Sequence, residues 1–309
     1  MDLKDKILAL KEKHNAVILA HNYVPADVQD IADFSGDSLG LSKQAATTNA
    51  DVIVFCGVHF MAETAKILSP EKTVLLPDNT AGCPMADMIT ADELRKFQAE
   101  HPGSLTVCYV NSAAEVKALS DYCCTSGNAV ELVSRLPDDK EILFVPDKYL
   151  GAYVKAKTRR NLILWPGFCP THAVIAGEVI SDLKALHPQA IVMAHPECPE
   201  SAKNVADVLL STGQMLEYAR KSEARSFIIA TEPGILHALR KGNPDKKFFA
   251  ASPIECFNMK KITLESLYFS LEYMQYEIDV PAEIASRARR SLDRMLEVLP
   301  ATSARSNMP

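Results

Sequence analysis

A period of about 87 residues runs through the chain and restricts it to folds built from like units. Three loop cysteines, Cys83, Cys169 and Cys256, lie 86 and 87 residues apart. Three apolar runs end in polar residues, VILA-His21, TVC-Tyr109 and IVMA-His195, separated by 88 and 86 residues. After each comes a small polar cluster that opens a helical pattern, containing Ser38 (SGDSLG), Ser126 (CTSGN) and Thr212 (LSTGQ), again 88 and 86 residues apart. Each ligand-like cysteine closes a strand–helix–strand segment, as in VIVFCG, MAETAKIL and TVLLP before Cys83.

β-branched runs alternating with amphipathic stretches specify α/β architecture with parallel sheets. The expected fold is three pseudo-symmetric, three-layer αβα units around one shared central active site. Each unit is predicted to run strand, helix, strand, helix, strand. The expected units are 1–84, 85–171 and 172–259, with helices in 260–309 returning to the first and a frayed end at Arg305–Pro309.

Polar residues at the carboxyl ends of parallel strands mark a ligand-binding edge. Helix N-termini with free N–H groups suit carboxylates and phosphates. The formal charge is −6 with no basic stripe, which argues against nucleic acid. No apolar run has membrane-span length and the first residues lack a signal-peptide core, so the expected compartment is the cytosol. There the eight cysteines are expected as thiols rather than disulfides.

Cys56 and Cys108 sit inside apolar strands and read as core residues. Cys83, Cys169 and Cys256 read as metal ligands. Three thiolates suit either zinc, completed by water or a histidine, or a [4Fe–4S] cluster with one iron open to substrate. Glu197, in His-Pro-Glu, is a candidate general base. Tyr23, Tyr109 and Asn111 are candidate hydrogen-bond partners of substrate oxygens. Ser38, Ser126, Ser211 and Thr212 have helix capping as their plain alternative. His14, His101 and His187 fall in polar turns and are expected in solvent.

The segments HNYVPADVQDIADFSGDSLGLSKQAA, DNTAGCPMA, CYVNSAAEVKA, CCTSGNAV, PDKYLGAYV, WPGFCPTH, AHPECP, STGQM and CFNMKKITLE closely resemble the quinolinate synthase family, the A protein of NAD biosynthesis. The resemblance covers nearly the whole chain. It implies an enzyme that condenses iminoaspartate (iminosuccinate) with dihydroxyacetone phosphate, releasing phosphate and two waters and forming quinolinate. It implies a [4Fe–4S] cluster on Cys83, Cys169 and Cys256, acting as a Lewis acid. By motif, the substrate-binding residues are His21, Ser38, Tyr109, Asn111, Ser126, His195, Glu197 and Thr212, with Glu197, His21 and Tyr23 as acid–base candidates. A transient encounter with the enzyme that supplies iminoaspartate is also implied. One departure is Phe257, which follows the third ligand cysteine where many relatives carry proline. An iron–sulfur hydro-lyase for another hydroxy-acid, and a zinc-stabilised anion-binding protein, are the alternatives from other classes.

Overall fold

The computed structural model describes residues 2–298; the tail read as frayed lies outside them. Twelve strands form three four-stranded sheets, every pairing between the strands parallel. The first sheet contains β1 (Ala16–His21), β2 (Phe34–Gly36), β3 (Val52–Cys56) and β4 (Thr73–Leu75). The second contains β5 (Leu105–Tyr109), β6 (Tyr122–Cys124), β7 (Ile142–Val145) and β8 (Leu162–Leu164). The third contains β9 (Ile191–Ala194), β10 (Val208–Leu209), β11 (Ser226–Ala230) and β12 (Lys247–Ala250). The spatial order is the same in each, β2-β1-β3-β4 and its equivalents. Helices cover the faces, giving the three αβα units expected from the repeat. The central strands β3 and β7 are buried throughout, which explains their unbroken apolar runs.

Between its first and last strands each unit carries one more strand and one more helix than the sequence pattern shows. The additional strands β2, β6 and β10 are only two or three residues long, too short for periodicity to register. Asp33, Asp121 and Asp207 each precede one of them. Their carboxylates accept the N–H of Ile18, Thr106 and Val192, in each case at 2.8 Å. These aspartates are 88 and 86 residues apart, a further trace of the repeat. Each one fastens the short edge strand to its neighbour.

The C-terminal segment closes the assembly. The helix Leu264–Tyr273 packs on the helix Leu3–Lys13 and on β3. Ile278 N–H donates to Val74 O (2.8 Å) and Leu76 N–H to Tyr276 O (3.1 Å), covering the exposed edge of β4. The helix Ala282–Glu297 bridges two units. Arg289 donates to Leu68 O (2.7 Å), while Ser291 Oγ donates to Lys117 O (2.9 Å) and Arg294 to Asp121 O (2.6 Å). No helix among the described residues is long and apolar enough to cross a membrane.

The strand order reverses between β1 and β3, and between their equivalents in the other sheets. A crevice opens at such a switch point, outside the carboxyl ends of the strands. His21 and Tyr109 are the last residues of β1 and β5, and His195 immediately follows β9. The three crevices converge.

Candidate active site

One cavity of about 290 Å³ lies at the convergence, near the lower end of the usual range for small-molecule sites. Its lining includes His21, Tyr23, Ser38, Cys83, Tyr109 and Asn111. Ser126, Cys169, His195, Glu197, Thr212 and Cys256 also line it, so every site residue implied by the resemblance surrounds one space, while Ser211 lies outside the lining.

The strand-end residues obey a local rule. The N–H of Tyr23 donates to His21 Nδ1 and that of Glu197 donates to His195 Nδ1, each at 3.3 Å. A backbone N–H only donates, so both rings carry their proton on Nε2. Burial, opposed by the charge of Glu197, pushes both imidazoles down to about 3. They are neutral donors, and His195 Nε2–H meets Ser126 Oγ at 3.2 Å. The 3.9 Å approach of Glu197 Oε1 to His195 Nδ1 is accordingly not an ion pair. Tyr23, Asn111 and Glu197 are equivalent positions, two residues after His21, Tyr109 and His195. Asn111 Oδ1 is buried without a hydrogen-bond partner among the described residues, a polar atom left for a ligand.

A chain of hydrogen bonds runs through residues from all three units. Glu197 Oε1 accepts from Tyr109 OH at 2.5 Å, and Oε2 lies 2.9 Å from His172 Nδ1. His172 Nε2 is 2.7 Å from Thr231 Oγ1, which is 2.5 Å from Tyr23 OH. An ionised carboxylate only accepts, so in the neutral ring Nδ1 donates to it and Nε2 accepts from Thr231, leaving Tyr23 to donate to Thr231. Burial alone would push the Glu197 carboxyl up. The adjacent His172, with its hydrogen bond and that from Tyr109, holds it well below the usual carboxylate range. Burial, with the Glu197 charge adding, raises both Tyr23 and Tyr109, so each stays a phenol.

His172 and Thr231 were missed in the sequence. Thr231 carries the signal already used for His21, a polar residue at the end of an apolar strand. His172 sits one helical turn after Cys169, a spacing that places both on one side of the short helix Pro170–Ala173.

The capping alternative holds for Ser211 and not for Ser38, Ser126 or Thr212. The cap of Ser38–Thr47 is Asp37, which accepts from Gly40 N–H, and the cap of Thr212–Lys221 is Ser211, which accepts from Gln214 N–H. Ser38 and Thr212 are first-turn residues that line the cavity. Ser126 precedes the Asn128 cap of the helix Ala129–Ser134. A Cβ on Gly213 would lie 2.5 Å from Asp37 Oδ2, and one on Gly127 3.2 Å from Ser211 Oγ. The helix starts therefore touch across units, and glycine permits it. Of the histidines expected in solvent, His101 pairs with Glu141 (2.9 Å) and His187 stacks on Phe249 (3.7 Å). His14 Nε2 is buried without a partner among the described residues. Contacts made by residues distant in sequence cover these rings, which turn composition alone does not reveal.

Cys83, Cys169 and Cys256 each begin a single helical turn. Backbone N–H groups of that turn, Met85 and Ala86 near Cys83, His172 near Cys169, and Asn258 and Met259 near Cys256, favour the anionic form of each sulfur. Burial pushes the Cys83 thiol up to about 12 and also raises Cys169 and Cys256. Three converging thiols with N–H donors in place, and with burial opposing their free anions, fit a cationic metal group that would neutralise them. Phe257 does not disturb this turn; it is 74% exposed at the cavity mouth, under Lys261. A second metal-capable set, Cys169, His172 and Glu197, places its ligand atoms within 4.8 Å of one another. Cys56 and Cys108 are fully buried core residues, as expected.

Behind the cavity, Asp147 Oδ1 caps Leu150 N–H (2.7 Å) while Oδ2 is buried without a partner among the described residues. Burial, reinforced by Glu197, pushes this carboxyl up from 3.8 to about 7. The folded state then keeps the proton longer than the unfolded chain, so stability falls as pH rises through that window. Asp147→Asn keeps an acceptor for Leu150 and is expected to raise the melting temperature near ~pH 8 but not near ~pH 4. Thermal melts at the two pH values check this.

Residues 5–297 match the family described as Quinolinate synthetase A protein. The quinolinate synthase of Dehalococcoides mccartyi strain CBDB1 is 54% identical over 298 residues, covering 96% of this chain and 98% of the relative. That of Geobacter metallireducens is 52% identical over 297 residues, covering 96% and 97%. That of Thermus thermophilus is 52% identical over 306 residues, with the same coverage of 96% and 97%. A threefold α/β scaffold with three thiols at its centre, matched along almost its full length, belongs to the quinolinate synthase family.

Proposed function

We propose that the chain condenses iminoaspartate with dihydroxyacetone phosphate to form quinolinate, phosphate and two waters, in NAD biosynthesis. The observation that carries this reading is the single cavity in which three thiols, the hydroxyl residues at the helix starts and a proton relay meet. The same reading divides the chain into units 1–84 with 260–309, 85–171 and 172–259, each junction just after a ligand cysteine. Cys83, Cys169 and Cys256 would hold a [4Fe–4S] cluster. When bound, such a cluster with an open iron supplies Lewis acidity for hydroxyl departure.

The chain's own residues handle the anions and protons. His21 and His195 donate Nε2–H to substrate oxygens, and Ser38, Ser126 and Thr212 add hydroxyls beside helix N–H groups. Tyr23 takes a substrate proton on its oxygen as its own moves by way of Thr231 to His172 Nε2, while Glu197 steadies the resulting imidazolium. Apolar walls from Val58, Phe60, Met61 and Met85 keep water from a hydrolysable imine. That same lability favours transient delivery of iminoaspartate by the enzyme that makes it.

The deciding experiment is anaerobic purification, iron and sulfide analysis, and mass spectrometry for pyridine-2,3-dicarboxylate from the two substrates. An iron–sulfur protein that forms no such product supports a hydro-lyase instead. The Cys169–His172–Glu197 set favours a second arrangement, one metal ion in that corner, which would consume the relay. Iron without sulfide, or zinc, at one atom per chain would establish it.

Ser38→Ala, Ser126→Ala and Thr212→Ala are expected to weaken pyridine-2,3-dicarboxylate binding by roughly 10- to 150-fold each, the worth of one hydrogen bond to a charged group. Since Asp37 and Ser211 do the capping, melting temperatures should move little for Ser38 and Thr212. Titration calorimetry with parallel melts checks this, and unaltered binding in all three would remove the helix ends from the site.

A further inference from the structure

The Cys256 loop meets the first unit at a seam made by two successive lysines. Lys260 Nζ donates to Glu232 Oε1 (2.8 Å) and to Tyr23 O (2.6 Å), and Lys261 Nζ donates to Thr80 O (2.6 Å). Thr80 lies three residues before Cys83. Glu232 is fully buried at the cavity wall. Its Oε1 also accepts from Cys256 N–H (3.2 Å) and its Oε2 from Gly234 N–H (2.6 Å). Gly234 is wedged into this corner. A Cβ there would stand 2.7 Å from Glu232 Oε2, 2.8 Å from Lys260 Nζ and 2.9 Å from Tyr23 Cα. Gln29 ties the same corner from the first unit, through Val24 O (2.8 Å) and Gly234 O (3.2 Å).

We infer that the Glu232–Lys260 ion pair is a positioning device that sets the Cys256 loop and the Tyr23 turn by one shared contact. Glu232 holds the backbone of Cys256, Lys260 holds the backbone of Tyr23, and the two charges join them. An ammonium is suited to this role because it offers several donors from one point. Neither residue reaches the reacting atoms through this contact; each acts on a neighbour that does. The third unit's ligand loop and the first unit's phenol are thereby kept in register.

The test has two arms, and only the kinetic one rests on the proposed reaction. In the metal-free protein, iodoacetamide labelling of Cys83, Cys169 and Cys256 is followed by mass spectrometry. In Lys260→Met, Cys256 should be labelled at least ~10-fold faster, with Cys169 within about twofold of wild type, as for a local opening. In the iron-loaded protein the same variant should lose ~10- to 100-fold in kcat with KM nearly unchanged, the cost of a misplaced acid–base group. Removing one partner leaves Glu232 buried and unpaired, so Glu232→Gln/Lys260→Met is the companion variant that keeps shape without charge. It should melt near wild type and still show fast Cys256 labelling and lowered kcat. Equal acceleration at all three cysteines, or wild-type labelling and kcat in the double variant, overturns the inference. If wild type makes no quinolinate, the labelling arm still decides the seam.

Discussion

Replacing Cys169 with Ala should strip bound iron from the protein and abolish turnover. The same outcome is expected for Cys83 and Cys256, because each supplies the sole thiol that its unit brings to the cavity. Outer hydrogen bonds around metal sites are worth about 10–100-fold in affinity, so the loss of a direct ligand should exceed ~100-fold. Cys56→Ala and Cys108→Ala are the controls. Both thiols are fully buried within strands, so some stability is lost while iron per folded chain stays at the wild-type value. Iron and sulfide analysis on anaerobically purified protein reads the difference directly. Full iron content in the Cys169 variant would refute the ligand assignment and turn attention to the remaining thiols.

Glu197→Gln is the second large effect, and it should act on turnover alone. The carboxylate accepts on both sides, from Tyr109 OH and from His172 Nδ1. A glutamine amide has one accepting end only, so one of these donors must face an NH₂ group. If it is His172, the ring turns its other tautomer to the relay and Thr231 loses its acceptor. The expected fall in kcat is about 10²- to 10⁴-fold, the usual worth of acid–base assistance. Visible absorbance and iron content should stay normal, since the three cysteines are untouched. Tyr109→Phe separates the two sides: it removes one donor and leaves the His172 contact intact. Wild-type turnover in the Gln variant would take Glu197 out of the relay.

How far the sequence reveals this molecule follows from what leaves a periodic mark. Long buried strands do, and β1, β3, β5, β7, β9 and β11 lie where the apolar runs place them, as do the helices that follow β3, β7 and β11. The edge strands β2, β6 and β10 do not, because no longer apolar run surrounds their two or three residues, as TVLLP and LILW do for β4 and β8. Their anchoring aspartates, Asp33, Asp121 and Asp207, did carry the period. They draw no attention on their own, because an aspartate between two elements is ordinarily a surface residue. At the cavity, residues that recur in all three units were legible, His21, Tyr109 and His195 among them. His172 and Thr231 stand out less because the relay is not repeated. It exists once, assembled from three units, and no spacing within one unit announces it. Capping, the alternative reading for Ser38 and Thr212, falls to Asp37 and Ser211 one residue earlier, since either of two adjacent polar side chains satisfies the same composition rule.

The positions two residues beyond the strand ends hold Tyr23, Asn111 and Glu197: an acid, an amide and an anion at equivalent points of one scaffold. Three separate identical subunits arranged about an axis could never achieve this. Rotation would force the same side chain into all three sectors, and a lopsided substrate would meet the same partner whichever way it turned. Joining the copies in one polypeptide releases each sector to diverge while the backbone keeps the arrangement closed. The price is paid in synthesis: Cys256 belongs to the last unit made, so a chain interrupted before it lacks the third thiol of the cavity. The covalent link between copies is thus what gives the pocket a fixed top and bottom, and with them a single direction in which two unlike reactants can be laid end to end.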